Sequence, residues 1–295
     1  DDGEARFAKV FSALRDRYGV AVCPLFIPMI EGDHVGGFLN LIDMKVYKYD
    51  DKGDLSHGVS IPTDFVGTAH EYRNMLLESI AETSEELMEK YFAGEEITRD
   101  EAVEAIHQGI INGGIVPVIC GSAAKVWGVG PLLDVIADSF PRPTARGTEQ
   151  SVDGSEIAID KDGEPAIFVF KTIADPFVGK MTFFKVMNGE VRRDMVLKNA
   201  RGGEEKLNKI YTMCGKKQTE TDSLACGDIG VTAKLNDTNT NDTLSASGKI
   251  QYAHVISPIP YMAKGIVPVA KGDEDKISQG ISKLLEEDLT LRFEN

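Results

Sequence analysis

Two prolines, Pro141 and Pro143, divide this chain into stretches written in different patterns. Proline has no amide with which to extend a helix, and its ring bars the preceding residue from the helical region. Phe140-Pro141-Arg142-Pro143-Thr144 must therefore end the amphipathic run from Val129 to Phe140 that leads into it. Before that stop, apolar residues recur at helical spacing between short β-branched runs. After it, β-compatible runs alternate with Gly, Asn and Asp turns. The predicted fold class is accordingly multidomain, α/β first and an antiparallel β-barrel second.

In the first part, Phe7, Val10, Phe11, Leu14 and Tyr18 mark a helix between Ala5 and Gly19, and Val20 to Leu25 reads as a short buried strand. Short β-like runs from Phe26 to about Tyr49 close on the DDKGD turn. Pro62 then introduces a long acidic helical region with an apolar stripe from Ala69 to Tyr91 and a bend expected around Ser84. Thr98 with Glu101 three residues on is a capping box: the hydroxyl accepts a first-turn amide and the carboxylate returns to the cap amide. Gly113-Gly114 ends that helix, and Ile115 to Cys120 is a β-branched strand running into Gly121-Ser122-Ala123.

Residues 145–164 are polar and charged, open between a linker and a loose hairpin. Beyond them, Ala166–Ile173, Met181–Met187, Met195–Leu197, Leu207–Met213, Ile229–Lys234 and Ile250–Ile256 read as strands, with Asn188-Gly189 as a hairpin turn. Gly265 to Ala270 is expected as a further strand and Asp273 to Glu287 as a helix, with Leu289 to Phe293 after it.

Charge is unevenly shared. Residues 1–164 carry 14 Lys or Arg against 30 Asp or Glu, whereas residues 165–258 carry 13 against 10, so the second part is where a phosphate backbone meets least repulsion. The sequence contains neither a run of 18 apolar residues nor a basic-then-apolar leader, which points away from a membrane span and a signal peptide and toward a cytoplasmic protein. Cys23, Cys120, Cys214 and Cys226 lack metal-ligand spacing and read as reduced core thiols. The five histidines are scattered, and no metal site is expected.

Gly121-Ser122-Ala123 after a buried strand admits two readings. It is an ordinary strand-to-helix turn, or a loop whose small side chains let it approach a flat ring. In the second case the Ala123 amide donates to a purine carbonyl, favouring guanine because adenine presents no acceptor there. No G-x-x-x-x-G-K-[ST] occurs anywhere, so no phosphate-binding loop accompanies it.

Four ordered stretches widen the pattern: VPVICGSAAKVWGVGPLLDVIADSFPRP, AIFVFKTIADPFVGKMTFFKVMNGEV, GDIGVTAKLNDTNTNDTL and DKISQGISKLLEEDLTLRFE. Along essentially its whole length the chain resembles translation elongation factor G, of the translational GTPase superfamily. The resemblance implies an internal fragment. Residues 1–144 are similar to the C-terminal part of a P-loop GTPase-like α/β domain with an α+β insert at about 25–113. Residues 145–164 form a linker, 165–260 resemble the translation-factor antiparallel β-barrel, and 261–295 resemble the start of a ferredoxin-like α+β domain, incomplete here.

The resemblance also implies roles. Asp1 matches the aspartate of the guanine-reading N-K-x-D motif, Ser122 steadies it, the Ala123 amide contacts the base oxygen, Gly121 lets the loop approach the ring, and Lys125 frames the pocket. GTP or GDP with Mg²⁺ belongs to the parent protein, whose GTP hydrolysis drives translocation of tRNA and mRNA on the ribosome. Without the phosphate loop, this fragment is expected to bind nucleotide poorly and not to hydrolyse it, and no catalytic residue is nominated. Implied partners are small-subunit ribosomal RNA, through Lys180, Lys185, Arg192 and Arg193, and the large-subunit stalk protein, with a monomer as the expected state. The glutamates Glu82, Glu85, Glu86, Glu89, Glu95 and Glu96 are not nominated as anchors for that acidic stalk. Where the family's barrel motif reads T-G-D-T-L, this chain has Thr240-Asn241-Asp242-Thr243-Leu244; asparagine tolerates the left-handed backbone, so the turn is expected to persist. Leu289 stands where the family tends to have proline. A ribosome-protection or peptide-chain-release GTPase shares this framework, and a nucleotide-free ribosome interaction module is the third alternative.

Overall fold

The helical spacing between Ala5 and Gly19 produces α1 (Phe7–Tyr18), closed by Gly19 at φ 81°, and the apolar residues after it form β1 (Val22–Pro24), buried at every position. The structure is a computed structural model and describes residues 5–32, 34–49, 57–175, 178–270 and 272–294. It divides into two compact units, Asp1–Pro141 and Arg142–Asn295.

In the first unit, β2 (Phe26–Glu31), β3 (His34–Asn40) and β4 (Lys45–Tyr47) form an antiparallel sheet in that order, with a register shift between Met29 and Ile30. The acidic helical region is two helices, α2 (Val66–Ala81) and α3 (Glu85–Ala93). The expected bend is a fresh helix start, where the Ser84 hydroxyl accepts the Leu87 N–H at 3.2 Å. Helix α4 (Arg99–Asn112) opens on the complete capping box: Thr98 Oγ1 accepts from Glu101 N at 3.3 Å and Glu101 accepts from Thr98 N at 2.9 Å. It ends at Gly113, φ 77°. Strand β5 (Val116–Val118) pairs in parallel with β1, Val22 opposite Val116, and α5 (Val129–Ser139) follows.

One apolar core serves this whole unit. Cys23 and Leu25 meet Ile27, Leu39, Leu76, Ile106, Ile115 and Val135 in a single cluster, so residues 25–113 share their interior with the parallel pair. Each fully buried Leu or Ile there contributes roughly 1.5–3 kcal/mol. Polar stitches run the same way: Ser79 Oγ donates to Val20 O at 2.6 Å, and Leu25 N donates to Val118 O at 2.9 Å.

In the second unit, β6 (Thr148–Gln150) and β7 (Glu156–Ala158) form a hairpin within 145–164. The remaining strands are β8 (Ala166–Asp175), β9 (Gly179–Asn188), β10 (Glu190–Arg192), β11 (Val196–Asn199), β12 (Glu204–Lys206), β13 (Ile210–Cys214), β14 (Lys217–Thr221), β15 (Ser223–Ala225), β16 (Ile229–Ala233) and β17 (Thr243–Ser245). Eight of them form one antiparallel sheet in the order β12-β11-β17-β8-β9-β16-β13-β14, and β10 pairs separately with β15.

Neighbouring strands lie about 4.8 Å apart, so a flat sheet would hold β11 and β13 far from each other. Yet Leu197 on β11 and Ile210 on β13 belong to one core with Ile167, Phe184, Leu224 and Leu244, so the sheet coils around a common interior. The expected barrel is seen in part, as a coiled ladder in which, among the described residues, β12 and β14 do not pair. Both edges carry their own protection, Glu204 and Lys206 exposed on a three-residue β12 and Lys217 to Glu220 exposed along β14, so edge groups are guarded by charge and brevity instead of closure.

Further expectations are corrected. Ile250–Ile256 is not a strand; only Tyr252 bridges, to Ser151. Among the described residues Gly265–Ala270 and Leu289–Phe293 form no strand either, and Val267 and Val269 are exposed. A strand needs a neighbour for its amides, and among the described residues none lies alongside these segments. The helix between them does form, as α6 (Glu274–Glu287), and its C-terminal turn docks on β8: Thr172 Oγ1 donates to Glu286 O at 2.6 Å and the Glu287 carboxylate accepts the Ala174 N–H. Asn188-Gly189 is not a hairpin turn, because β10 leaves to pair with β15. Gly189, φ 63°, is needed for another reason: a Cβ there would lie 2.5 Å from Gly163 O.

Candidate functional site

Strand β5 delivers the chain to Gly121, and two glycines let the loop cross itself. A Cβ on Gly121 would stand 2.6 Å from Trp127 O, and one on Gly128 (φ 78°) 2.7 Å from Cys120 O. The crossing is sealed by Ser122 N donating to Trp127 O at 2.9 Å. Ser122 is buried, and its Oγ accepts Lys125 N–H at 3.2 Å while Val126 N donates to Ala123 O at 3.3 Å. Val126 takes φ 60°, a conformation that costs a β-branched residue roughly 1–3 kcal/mol. Something outside the loop must offset that cost.

The offset comes from an aromatic stack. Trp127 lies face to face with Tyr49, centroids 5.5 Å apart and planes within 8°, and Lys125 Nζ sits 4.7 Å from the Trp127 centroid. Tyr49 Oη accepts the Gly128 N–H at 2.5 Å, and the Tyr49 ring meets Phe38 edge-on at 5.9 Å. Phe38 is part of the unit's core, so the loop is anchored through two rings to the β2-β3-β4 sheet. Beneath the loop, Cys120 Sγ donates to Phe26 O at 3.5 Å, and burial pushes its thiol up to about 12, making it a packing group and a poor nucleophile. Cys23 is pushed to about 12 for the same reason. Cys214 departs from the core-thiol expectation: it is exposed at the end of β13.

What the loop offers a ligand is therefore restricted. Ala123 and Lys125 are exposed, Ser122 is turned inward, and among the described residues the Ala123 N–H meets no acceptor. One amide without a described acceptor, beside a small side chain, fits the edge of a flat ring; a phosphate cradle is absent from the sequence itself. Asp1, the remaining residue expected here, lies outside the described residues. Among the described residues no three His, Cys, Asp or Glu side chains are grouped to hold a metal ion, and no helix is long and apolar enough to cross a membrane.

Three of the four basic candidates of the second unit are already engaged. Lys180 Nζ donates to Asn239 Oδ1 at 3.0 Å and lies 3.8 Å from the Glu286 carboxylate, with 18% of its side chain exposed. Arg192 pairs with Glu190 at 2.9 Å. Arg193 reaches Glu220 at 3.5 Å and Asp222 at 3.4 Å. Lys206 holds Asp194 at 2.7 Å and Lys209 holds Glu220 at 2.9 Å, so the cations here are interleaved with carboxylates. Lys185, on β9, is half-buried. Of the Asp175–Lys180 loop, Pro176 and Phe177 lie outside the described residues.

Sequence reasoning missed the polar centre of this unit. Asp242 is buried, and its carboxylate accepts from Arg201 Nε at 2.6 Å, Arg201 Nη2 at 2.5 Å, Asn199 Nδ2 at 2.9 Å and Asn239 N at 2.8 Å. Glu205, also buried, accepts from Asp237 N at 2.7 Å and Thr238 Oγ1 at 3.1 Å. Between them they fix the turn 236–242. Asn241 sits at φ 76°, so the turn persists with asparagine in the glycine position. Its side chain adds what glycine lacks: Oδ1 accepts Val255 N–H at 2.9 Å and Nδ2 donates to Val255 O at 3.2 Å. An aspartate inside an Asn-rich, Thr-rich turn was the available signal.

Comparison with solved structures finds a likeness along nearly the whole chain. A crystal structure of a Thermus thermophilus protein, ttk003000868, superimposes with a TM-score of 0.83 at 28% identity, covering 99% of this chain. This chain spans 42% of the length of that one. Residues 164–247, which run through the coiled sheet and the Asp242 turn, match the family described as Elongation factor G domain 2, in keeping with a place in the translational GTPase superfamily.

Proposed function

We propose that this chain is part of an elongation factor of the G type, whose intact protein couples GTP hydrolysis to movement of tRNA and mRNA on the ribosome. The match of residues 164–247 to Elongation factor G domain 2 carries this reading. The likeness that spans 99% of this chain covers 42% of the other protein, which fits a part of a longer protein. Gly121–Lys125 is assigned to the guanine base of GTP or GDP, with the Ala123 N–H aimed at the base oxygen and Asp1 at the ring nitrogens. The triphosphate and Mg²⁺ are held by parts of the parent that carry a phosphate loop, which this sequence lacks.

The residues present here accordingly supply base recognition without the charge-assisted phosphate contacts that dominate nucleotide affinity, and they perform no hydrolysis alone. Ribosomal contact is assigned to the second unit, with Lys180, Lys185, Arg192 and Arg193 facing small-subunit rRNA. Because most of these side chains hold carboxylate or amide partners, docking is an exchange of partners, with many weak contacts acting together on one large surface. Recruitment through the stalk protein is part of the same reading, and the protein acts as a cytoplasmic monomer.

Titration calorimetry with GDP and Mg²⁺ tests this on two samples, the chain of 295 residues and the intact protein. Binding by the intact protein and none by the chain is expected. Binding by the chain would overturn the claim that the phosphate loop is indispensable, and silence from both would replace the GTPase reading with a nucleotide-free ribosome module.

A further inference from the structure

The loop Gly121–Gly128 is held by a residue nearly eighty positions upstream, Tyr49. Within the loop Ser122 N donates to Trp127 O, Lys125 N to Ser122 Oγ and Val126 N to Ala123 O, while Val126 takes φ 60° and the chain crosses itself at Gly121 and Gly128. Outside the loop, Tyr49 provides both a ring for Trp127 and an acceptor for Gly128 N–H, and it stands on Phe38 of the β2-β3-β4 sheet. We propose that Tyr49 is the positioning residue for the Gly121–Lys125 loop, tying the loop's conformation to that sheet, so that displacing the sheet loosens the loop.

The effect on guanine recognition rests on the function proposed above; the tie itself does not. A partner that shifts β3 or β4 acts on the loop through the Phe38–Tyr49–Trp127 stack without touching it. The direct readout is built into the chain, because Trp127 is its single tryptophan. Tyr49→Leu removes ring and oxygen, and Tyr49→Phe removes only the oxygen.

Amide exchange over 121–128 and acrylamide quenching of Trp127 are to be measured on the chain and both variants, with exchange in α4 as the control for folding. About tenfold faster exchange at 121–128 and stronger quenching in Tyr49→Leu, with α4 unchanged, support the tie. In Tyr49→Phe the loss is expected to concentrate at the Gly128 amide while the stack remains. Unchanged exchange and quenching in both variants would overturn it. If Tyr49→Leu fails to fold, Tyr49→Phe decides alone, through protection of the Gly128 amide.

GDP titration of the intact protein carrying Tyr49→Leu separates the two claims. A loosened loop with weakened GDP binding supports both. A loosened loop with GDP affinity unaltered leaves the tie standing and overturns the assignment of this loop to the base.

Discussion

The loops 121–128 and 236–242 solve the same problem, a tight turn with an unusual backbone, by opposite means. In the first unit the turn is held by an aromatic plane, a phenol oxygen and two glycines. In the second it is held by two buried carboxylates that between them take backbone amides, hydroxyl, amide and guanidinium donors. A buried carboxylate tolerates little displacement, since each lost donor leaves charge uncompensated. A neutral aromatic stack holds only about 0.5–1.5 kcal/mol, so disturbing it costs less. The second turn is thus built to stay in place, and the first to be adjustable around an amide that meets no acceptor among the described residues.

The comparison can be broken most forcefully at Asp242. Asp242→Ala strips Arg201, Asn199 and Asn239 of their common acceptor; a loss of about 2–4 kcal/mol is expected, reduced from the fully buried case because Arg201 is half exposed. Urea denaturation monitored in the second unit measures it, and a loss below about 1 kcal/mol would mean the pair is screened like a surface one.

Tyr49→Phe should cost less, about 0.5–1.5 kcal/mol, because one neutral hydrogen bond is lost and the stack survives. If it matches Asp242→Ala, the contrast between a rigid and an adjustable turn fails.

Acid sharpens the picture in the first unit, which has its own pinned carboxylate. The Lys90 ammonium, then the Thr98 amide and hydroxyl, lower Glu101 from the ordinary 4.5 to about 2. A lowered folded value means that Glu101 favours the folded state above about pH 4.5 and that this contribution disappears as pH falls toward about 2. A carboxyl titration followed by NMR should place Glu101 well below the ordinary 4.5, and a midpoint near 4.5 would show that the capping box is not closed in solution. Smallest of all is Asn241→Gly, which relieves the left-handed backbone while losing both bonds to Val255. Net stability should move by about 0.5 kcal/mol or less, whereas exchange of the Val255 amide should accelerate clearly; a protected Val255 would show that the segment is held elsewhere.

Much was legible wherever the controlling residues lie close together. The capping box at Thr98 and Glu101 needs three residues of separation, and the stop at Pro141 needs none, so both follow from local chemistry. The turn at Asn241 was legible for the same reason. Legibility failed with distance. Lys180 is expected to face ribosomal RNA, yet its partners Asn239 and Glu286 arrive from far along the chain. Asn188-Gly189 has the composition of a hairpin, but Asp160 supplies an amide to Asn188 Oδ1 at 2.7 Å and draws the turn elsewhere. The same holds at the candidate site: small residues after a buried strand marked the loop, while nothing in its neighbourhood announced Tyr49.

By itself, then, the sequence determined the order of elements, their caps and stops, the change from α/β to antiparallel β at the proline pair, and the motifs that carry the family likeness. These depend on side chains reaching their own or adjacent backbone. Only the tertiary structure decided which strands pair, that Gly265–Ala270 finds no partner among the described residues, that the sheet coils, and that Tyr49 and Asp242 hold the two turns. Those outcomes depend on contacts whose loop-closure entropy and burial are settled by the whole chain at once, which no local window contains.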